Sequence, residues 1–195
     1  MNIFEEKIIL ESGNLMLRPL SMEDIPGLSS IAFNADIWKF YPTRITNEEE
    51  LSNLVEQMII QRARNERIPF TISDKEGNSI MGSTSYLNIS VKDKRLEIGS
   101  TWLGKKYQGT GVNKICKFLL LRFAFEKLSY DRVELKADVL NMQSRKAMLK
   151  IGAVEEGILR SHTLMHDGRR RDTIYYSILK NEWEDIKKNI FAEFC

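Results

Sequence analysis

The chain has 195 residues, 43% of them apolar and 29% charged, and a net charge of +2. This length and balance argue for a single domain spanning 1–195 with a buried core, and exclude a disordered or fibrous chain. So small a charge supplies no global field for nucleic acid or an anionic membrane, and no stretch approaches the roughly 20 apolar residues that cross a bilayer.

Two cysteines, Cys116 and Cys195, form neither a disulfide framework nor a metal knuckle. Glu5 and Glu6 stand where a secretory signal needs positive charge, so the chain reads as cytoplasmic and reduced.

Asn14–Leu20 alternates apolar and polar residues as a strand does and stops at a proline. Ser21 and Asp24 then offer a capping box for a helix. Thr46 or Asn47 caps a second helix, whose Leu51, Leu54, Val55, Met58 and Ile59 share one face. That helix fades among Arg62, Arg64 and Arg67, cations suited to its C-terminal end. Pro69–Ser73 and Ile80–Ile89 form a hairpin turned at residues 75–78. Arg95–Leu103 is a further strand, with Leu96, Ile98, Ser100 and Trp102 assigned to one face.

A helix follows whose Val112, Ile115, Cys116, Leu119, Leu120 and Phe123 recur at helical spacing, with Phe118, Leu121 and Phe125 widening the stripe. Val133–Val139 is a strand and Asn141–Ile151 a short helix closed by Gly152. A hairpin of Glu155–Leu164 and Arg171–Leu179 turns at Asp167-Gly168, and a polar helix occupies 181–195. The order argues for an α/β layer structure built on one mixed, mostly antiparallel sheet of about seven strands flanked by helices, with its core over 14–183.

The stretch Gln108-Gly109-Thr110-Gly111 opens directly onto the most apolar helix. Helix N-termini present unpaired N–H groups and partial positive charge, so a loop this bare fits a phosphate or diphosphate. A tight strand-to-helix turn, in which glycine only permits positive φ, explains the same residues. The spacing matches neither GxxxxGK[ST] nor GxGxxG.

With its preceding strand, LEIGSTWLGKKYQGTG, this stretch resembles the acetyl-CoA loop of the GNAT acetyltransferases, in particular the branch of the Rim-type ribosomal-protein N-terminal acetyltransferases. Asn113 departs from the small residue usual at the end of that loop. Downstream, Asn141-Met142-Gln143-Ser144 with Ile151-Gly152-Ala153, Glu156-Gly157-Ile158-Leu159-Arg160, and the run from Asp167-Gly168 to Glu182-Trp183 resemble further family segments in the right order, so the likeness covers Asn14 to Trp183.

The resemblance implies the family fold, with a splayed strand pair holding acetyl-CoA as co-substrate, and no metal. It implies that main-chain N–H groups of Gln108, Gly109, Thr110, Gly111, Val112 and Asn113 hold the diphosphate, and that the main chain of Trp102 and Leu103 pairs with the pantetheine arm. Gly99 and Ser100 are small enough to admit another backbone or form a bulge. Asn141 serves as helix cap, as pantetheine partner, or as both. The resemblance makes Ser144 the proton donor to the departing thiolate, against the plainer reading of a solvent-facing serine.

Glu97 alternates with Leu96 and Ile98; it is either the general base or a strand-end partner of Lys94 or Arg95. His162, or a water chain to Glu97, fills the base role otherwise. Arg169-Arg170-Arg171 beside an Asp-Gly turn reads as a solvated hairpin tip. Trp38, Phe40 and Tyr41 read either as core or as an aromatic lid over an amine.

The reaction so implied is acetyl transfer to a primary amine, a protein N-terminal α-amine or a small molecule, by direct attack in a ternary complex. The alternatives are an acyl-CoA-binding sensor or partner module on the same scaffold, and an RNA- or ribosome-docking protein using its arginines. The terminal hairpin is a natural place for a homodimer to form.

Overall fold

The computed structural model describes residues 3–77 and 79–195. Its strands are β1 (Leu10–Ser12), β2 (Leu15–Pro19), β3 (Arg67–Asp74), β4 (Ile80–Ser90), β5 (Arg95–Leu103), β6 (Arg132–Asp138), β7 (Val154–Leu164) and β8 (Arg170–Leu179). Its α-helices are α1 (Ile25–Ala32), α2 (Ala35–Trp38), α3 (Glu48–Ala63), α4 (Val112–Arg122), α5 (Met142–Lys150) and α6 (Lys180–Ile190). The eight strands form one sheet in the order β1-β2-β3-β4-β5-β6-β8-β7. Every pairing is antiparallel except β5 with β6, which the crossover through α4 makes parallel.

The sheet has one strand more than expected. Three residues are too few to show alternation, and β1 exists because its hairpin with β2 sets Leu10 against Leu17. Of the two candidate caps for α3, Asn47 does the work, its Oδ1 accepting Glu50 N–H at 2.9 Å. Asp24 closes the expected capping box by accepting Ser21 N–H at 3.0 Å, and Thr71 Oγ1 donates to the same carboxylate at 2.6 Å. That shared carboxylate ties the start of α1 to β3. Asn78, in the turn expected at 75–78, lies outside the described residues.

Two apolar clusters fill the two faces of the sheet. Under α4 and α6, Leu17, Phe70, Tyr86, Leu96, Ile98, Val133, Leu135 and Ile174 meet Phe118, Leu120 and Trp183. Under α1 to α3, Leu28, Trp38, Leu51, Val55 and Met58 meet Trp102. The second layer covers only one end of its face, so that face of β5, β6 and β8 is left to polar side chains.

Strand β5 changes face partway along. It pairs Gly99 with Ser85 but Trp102 with Ser83, which places an extra residue in β5, and Ser100 takes a left-handed φ of 47°. Small residues at 99 and 100 allow this bulge. It corrects the expected alternation: Leu96 and Ile98 face α4, whereas Trp102 faces Trp38 on the opposite side, at a ring distance of 5.3 Å. A second correction concerns Arg67. The helix stops at Ala63, Asn65 turns the chain with φ 61°, and Arg67 opens β3.

Candidate active site

Strands β5 and β6 pair only at Arg95–Arg132, Leu96–Val133 and Glu97–Glu134. Beyond Glu97 the two parallel strands have no pairing with each other, so a gap opens toward their carboxyl ends. That is where open α/β sheets receive ligands. Two connections flank the gap, the glycine turn that leaves β5 and the Asn141 turn that leaves β6.

The glycine turn is open on its outer side. Gly109 and Gly111 take φ of 77° and 94°, and a Cβ built on either meets no atom within 4 Å. The first bond of α4 runs from Ile115 N–H to the Gly111 carbonyl. Val112, Asn113 and Lys114 therefore have no main-chain acceptor for their N–H groups. Gln108 Nε2 donates to the Leu103 carbonyl at 3.1 Å and Thr110 Oγ1 to the Tyr107 carbonyl at 2.7 Å, so both polar side chains hold the loop itself. A bare cradle of unpaired amides on positive-φ glycines fits a diphosphate.

On the other flank, Asn141 Oδ1 accepts Ser144 N–H at 3.0 Å, the expected cap, and α5 ends at Gly152 with φ 86°. Ser144 stands half-buried in the first turn of α5. Its hydroxyl makes no hydrogen bond among the described residues.

Glu97 is 6% exposed and sits at the last position where β5 pairs with β6, just before the gap. Its partners are not the expected Lys94 or Arg95. Oε2 accepts from Asn88 Nδ2 at 2.6 Å and from Lys136 Nζ at 2.7 Å, while Oε1 lies against Gly99. Lys136 also lies over the Tyr175 ring, 4.6 Å from its centroid. Beside this pair a cavity of about 570 Å³ opens, lined by Asn88, Arg95, Glu134, Lys136 and Tyr175 among others. His162 lies on edge strand β7, its Nδ1 3.1 Å from Thr173 Oγ1 and its ring 6.0 Å from that of Tyr175.

In the aromatic segment, Trp38 and Tyr41 both pack into the apolar cluster under α1 to α3, as the core reading has it. Trp38 is core at 1% exposure and donates to the Ala32 carbonyl at 2.7 Å. Tyr41 reaches the bulge and donates its hydroxyl to the Thr101 carbonyl. The arginine run also departs from a solvated tip. Arg169 is ion-paired with buried Asp138, Arg170 bonds Ser161, and half-buried Arg171 donates to Thr173 Oγ1 at 3.0 Å.

Sequence reasoning missed Lys117. It lies within the apolar stripe of α4, 7% exposed, and donates to Thr101 Oγ1 at 2.9 Å. A lysine flanked by Cys116 and Phe118 in an otherwise apolar run was the signal available. Burial pulls its ammonium from 10.5 to about 8.

Comparison with known proteins accords with this geometry. The family model for the acetyltransferase (GNAT) domain matches residues 14–154. A Bacillus subtilis (strain 168) protein named as a ribosomal N-acetyltransferase, YdaF, is 38% identical over 109 residues, which are 56% of this chain and 58% of that relative. The ribosomal-protein-serine acetyltransferase of Escherichia coli (strain K12) is 24% identical over 142 residues, 73% of this chain and 78% of the relative. A solved structure named as an acetyltransferase from T. thermophilus superimposes with a TM-score of 0.86 at 31% identity, covering 96% of this chain and 97% of that one. With a family model that matches residues 14–154, the chain belongs to the GNAT acetyltransferases and is an acyltransferase.

Proposed function

We propose that the chain is an acetyl-CoA-dependent N-acetyltransferase acting on a primary amine, either a protein N-terminal α-amine or the amine of a small molecule. The observation that carries this reading is the gap between β5 and β6, bounded at its open end by unpaired helix amides on two positive-φ glycines. Bound there, acetyl-CoA supplies the acetyl group already activated as a thioester.

The chain's own residues do the rest. Main-chain N–H groups from Gln108 to Asn113 hold the diphosphate without side-chain charge. The main chain of Trp102 and Leu103, unpaired toward β6, receives the pantetheine arm in the manner of a missing strand. Asn141 caps α5 with its oxygen, and its Nδ2 donates to the pantetheine amide. The amine approaches from the polar face of the sheet, where the carboxylate of Glu97 takes its proton. Ser144 Oγ, which has no hydrogen-bond partner among the described residues, gives a proton to the departing sulfur. Fixing both reactants at one bulge converts an encounter of two molecules into a reaction within one complex.

A melting series with acetyl-CoA, followed by thiol release in the presence of an amine library, tests the reading. The melting temperature rises with cofactor concentration if the native state binds it. Ser144→Ala is expected to lower kcat by roughly 10²-fold or more while leaving the acetyl-CoA Kd within about twofold. Unchanged turnover in that variant would remove Ser144 from the chemistry.

A further inference from the structure

On the polar face of β5, β6 and β8, most charges are matched. Glu97 has Lys136, Asp138 has Arg169, and Arg132 pairs with both Glu134 and Glu156. Arg67 and Arg171 are the exceptions: neither has a carboxylate within ion-pair distance among the described residues. Arg67 stands opposite Leu87, which stands opposite Glu97, so it shares that face of the sheet. One of its terminal nitrogens donates to Ser100 Oγ at 2.8 Å, on the bulge itself. Its Nε is shut off from solvent and has no hydrogen-bond partner among the described residues. Arg171 stands two residues before Thr173, which is paired with Asp138, and so lies on the same face.

Both guanidinium groups are half-buried, and burial pushes both below their ordinary values, opposed by Glu97 at Arg67 and by Asp138 and then Glu97 at Arg171. Both also act on the phenol of Tyr41, which is fixed to the bulge at Thr101. The two cations therefore stand on the sheet face that carries Glu97, the carboxylate proposed to receive the amine proton, one reaching the bulge at Ser100 and the other Thr173. A half-buried guanidinium without an anion, and a buried N–H without an acceptor, are each destabilising. An anion from outside the chain repairs both, and the planar fork of arginine is matched to a carboxylate.

We propose that the amine acceptor carries a carboxylate within a few bonds of its amino group, held by Arg67 and Arg171 while the amine faces Glu97 at the bulge of β5. The inference rests on the acyl-transfer reading above and narrows its acceptor class. Two sources supply that chemistry, the α-carboxylate of a free amino acid and an acidic side chain at the second position of a peptide.

Four acceptors separate them: free serine, serinamide, and short C-terminally amidated peptides beginning Ser-Glu or Ser-Gln. The wild-type protein is expected to favour the carboxylate member of one pair by about tenfold or more in kcat/KM, the size of a charge-assisted hydrogen bond. The pair that responds names the source. In Arg67→Gln and Arg171→Gln that preference shrinks to about twofold or less, chiefly through KM, and Arg171→Lys recovers part of it. Equal use of both members of each pair, or a preference that survives both substitutions, overturns the proposal.

A second readout needs no turnover. The preferred carboxylate is expected to raise the wild-type melting temperature relative to sodium chloride at equal ionic strength, and not that of either Gln variant. Absence of transfer to all four acceptors with that shift intact would remove the acyl-transfer reading and leave the anion site standing. Absence of both would end the anion site.

Discussion

The two faces of strand β5 hold one buried charge each, and they handle it in opposite ways. On the α4 side, Lys117 enters an apolar layer with the Thr101 hydroxyl as its one hydrogen-bond partner among the described residues. On the polar side, Glu97 is as deeply buried but has Asn88 and Lys136 on one oxygen. A charge kept with its counter-charge at the mouth of a gap is equipped for proton traffic. A charge kept without one is a cost that the surrounding apolar packing must offset.

Glu97→Gln should give the largest effect. If Glu97 takes the amine proton, kcat falls by roughly 10²- to 10⁴-fold. The comparison that matters is Lys136→Gln, which breaks the same ion pair while leaving the carboxylate in place. Steady-state rates at saturating acetyl-CoA are expected to fall far more in the first variant than in the second. Equal losses would mean that the pair only braces β5 against β6.

On the other face, Lys117→Met is expected to stabilise the fold. Burial holds the lysine near 8, against 10.5 for an ordinary lysine, and the nearby Cys116 thiol and Glu97 oppose that shift only weakly. Between those two values the unfolded chain binds the extra proton, so wild-type stability rises with pH through that window and the full cost applies below it. Set against one lost hydrogen bond, the gain at pH 7 is about 2 kcal/mol. Urea unfolding at pH 7, 8.5 and 10 should show the variant's advantage narrowing as pH rises. A gap independent of pH would show that Lys117 carries no buried charge.

The sequence exposed the two faces unequally. The bounds of β5 follow from alternation, and the cap of α3 is narrowed to Thr46 or Asn47, both local signals. The change of face inside β5 does not, because alternation presumes a constant register, and the bulge is made by pairing with β4. Arg67 reads as a helix-end cation for the same reason, since arginines at a C-terminus are expected and a strand start four residues later is not. Lys117 disappears into an apolar run, and Arg171 into a run of three arginines of which Arg169 alone is ion-paired among the described residues. The glycine turn, Glu97, Asn141 and Ser144 stand out in the sequence because they are chemically conspicuous. What surrounds them comes from strands far away in the chain, and no local pattern encodes it.

The smallest effect tests the far side of the gap. Asn141→Ala removes the acceptor for Ser144 N–H and is expected to lower stability by about 1 kcal/mol, as loss of a helix cap does. Asn141→Asp keeps that acceptor and should restore most of the stability. It also replaces the Nδ2 donor with an oxygen, so a pantetheine amide in the gap would lose a hydrogen bond and gain a repelling neighbour. The two roles then separate within one pair of variants. Both Asn141→Asp and Asn141→Ala should bind acetyl-CoA several-fold more weakly, whereas only the alanine variant should melt appreciably lower. If the aspartate variant binds acetyl-CoA as tightly as the wild type, Asn141 is a cap and nothing more, and the gap is lined on the α5 side by main chain and Ser144.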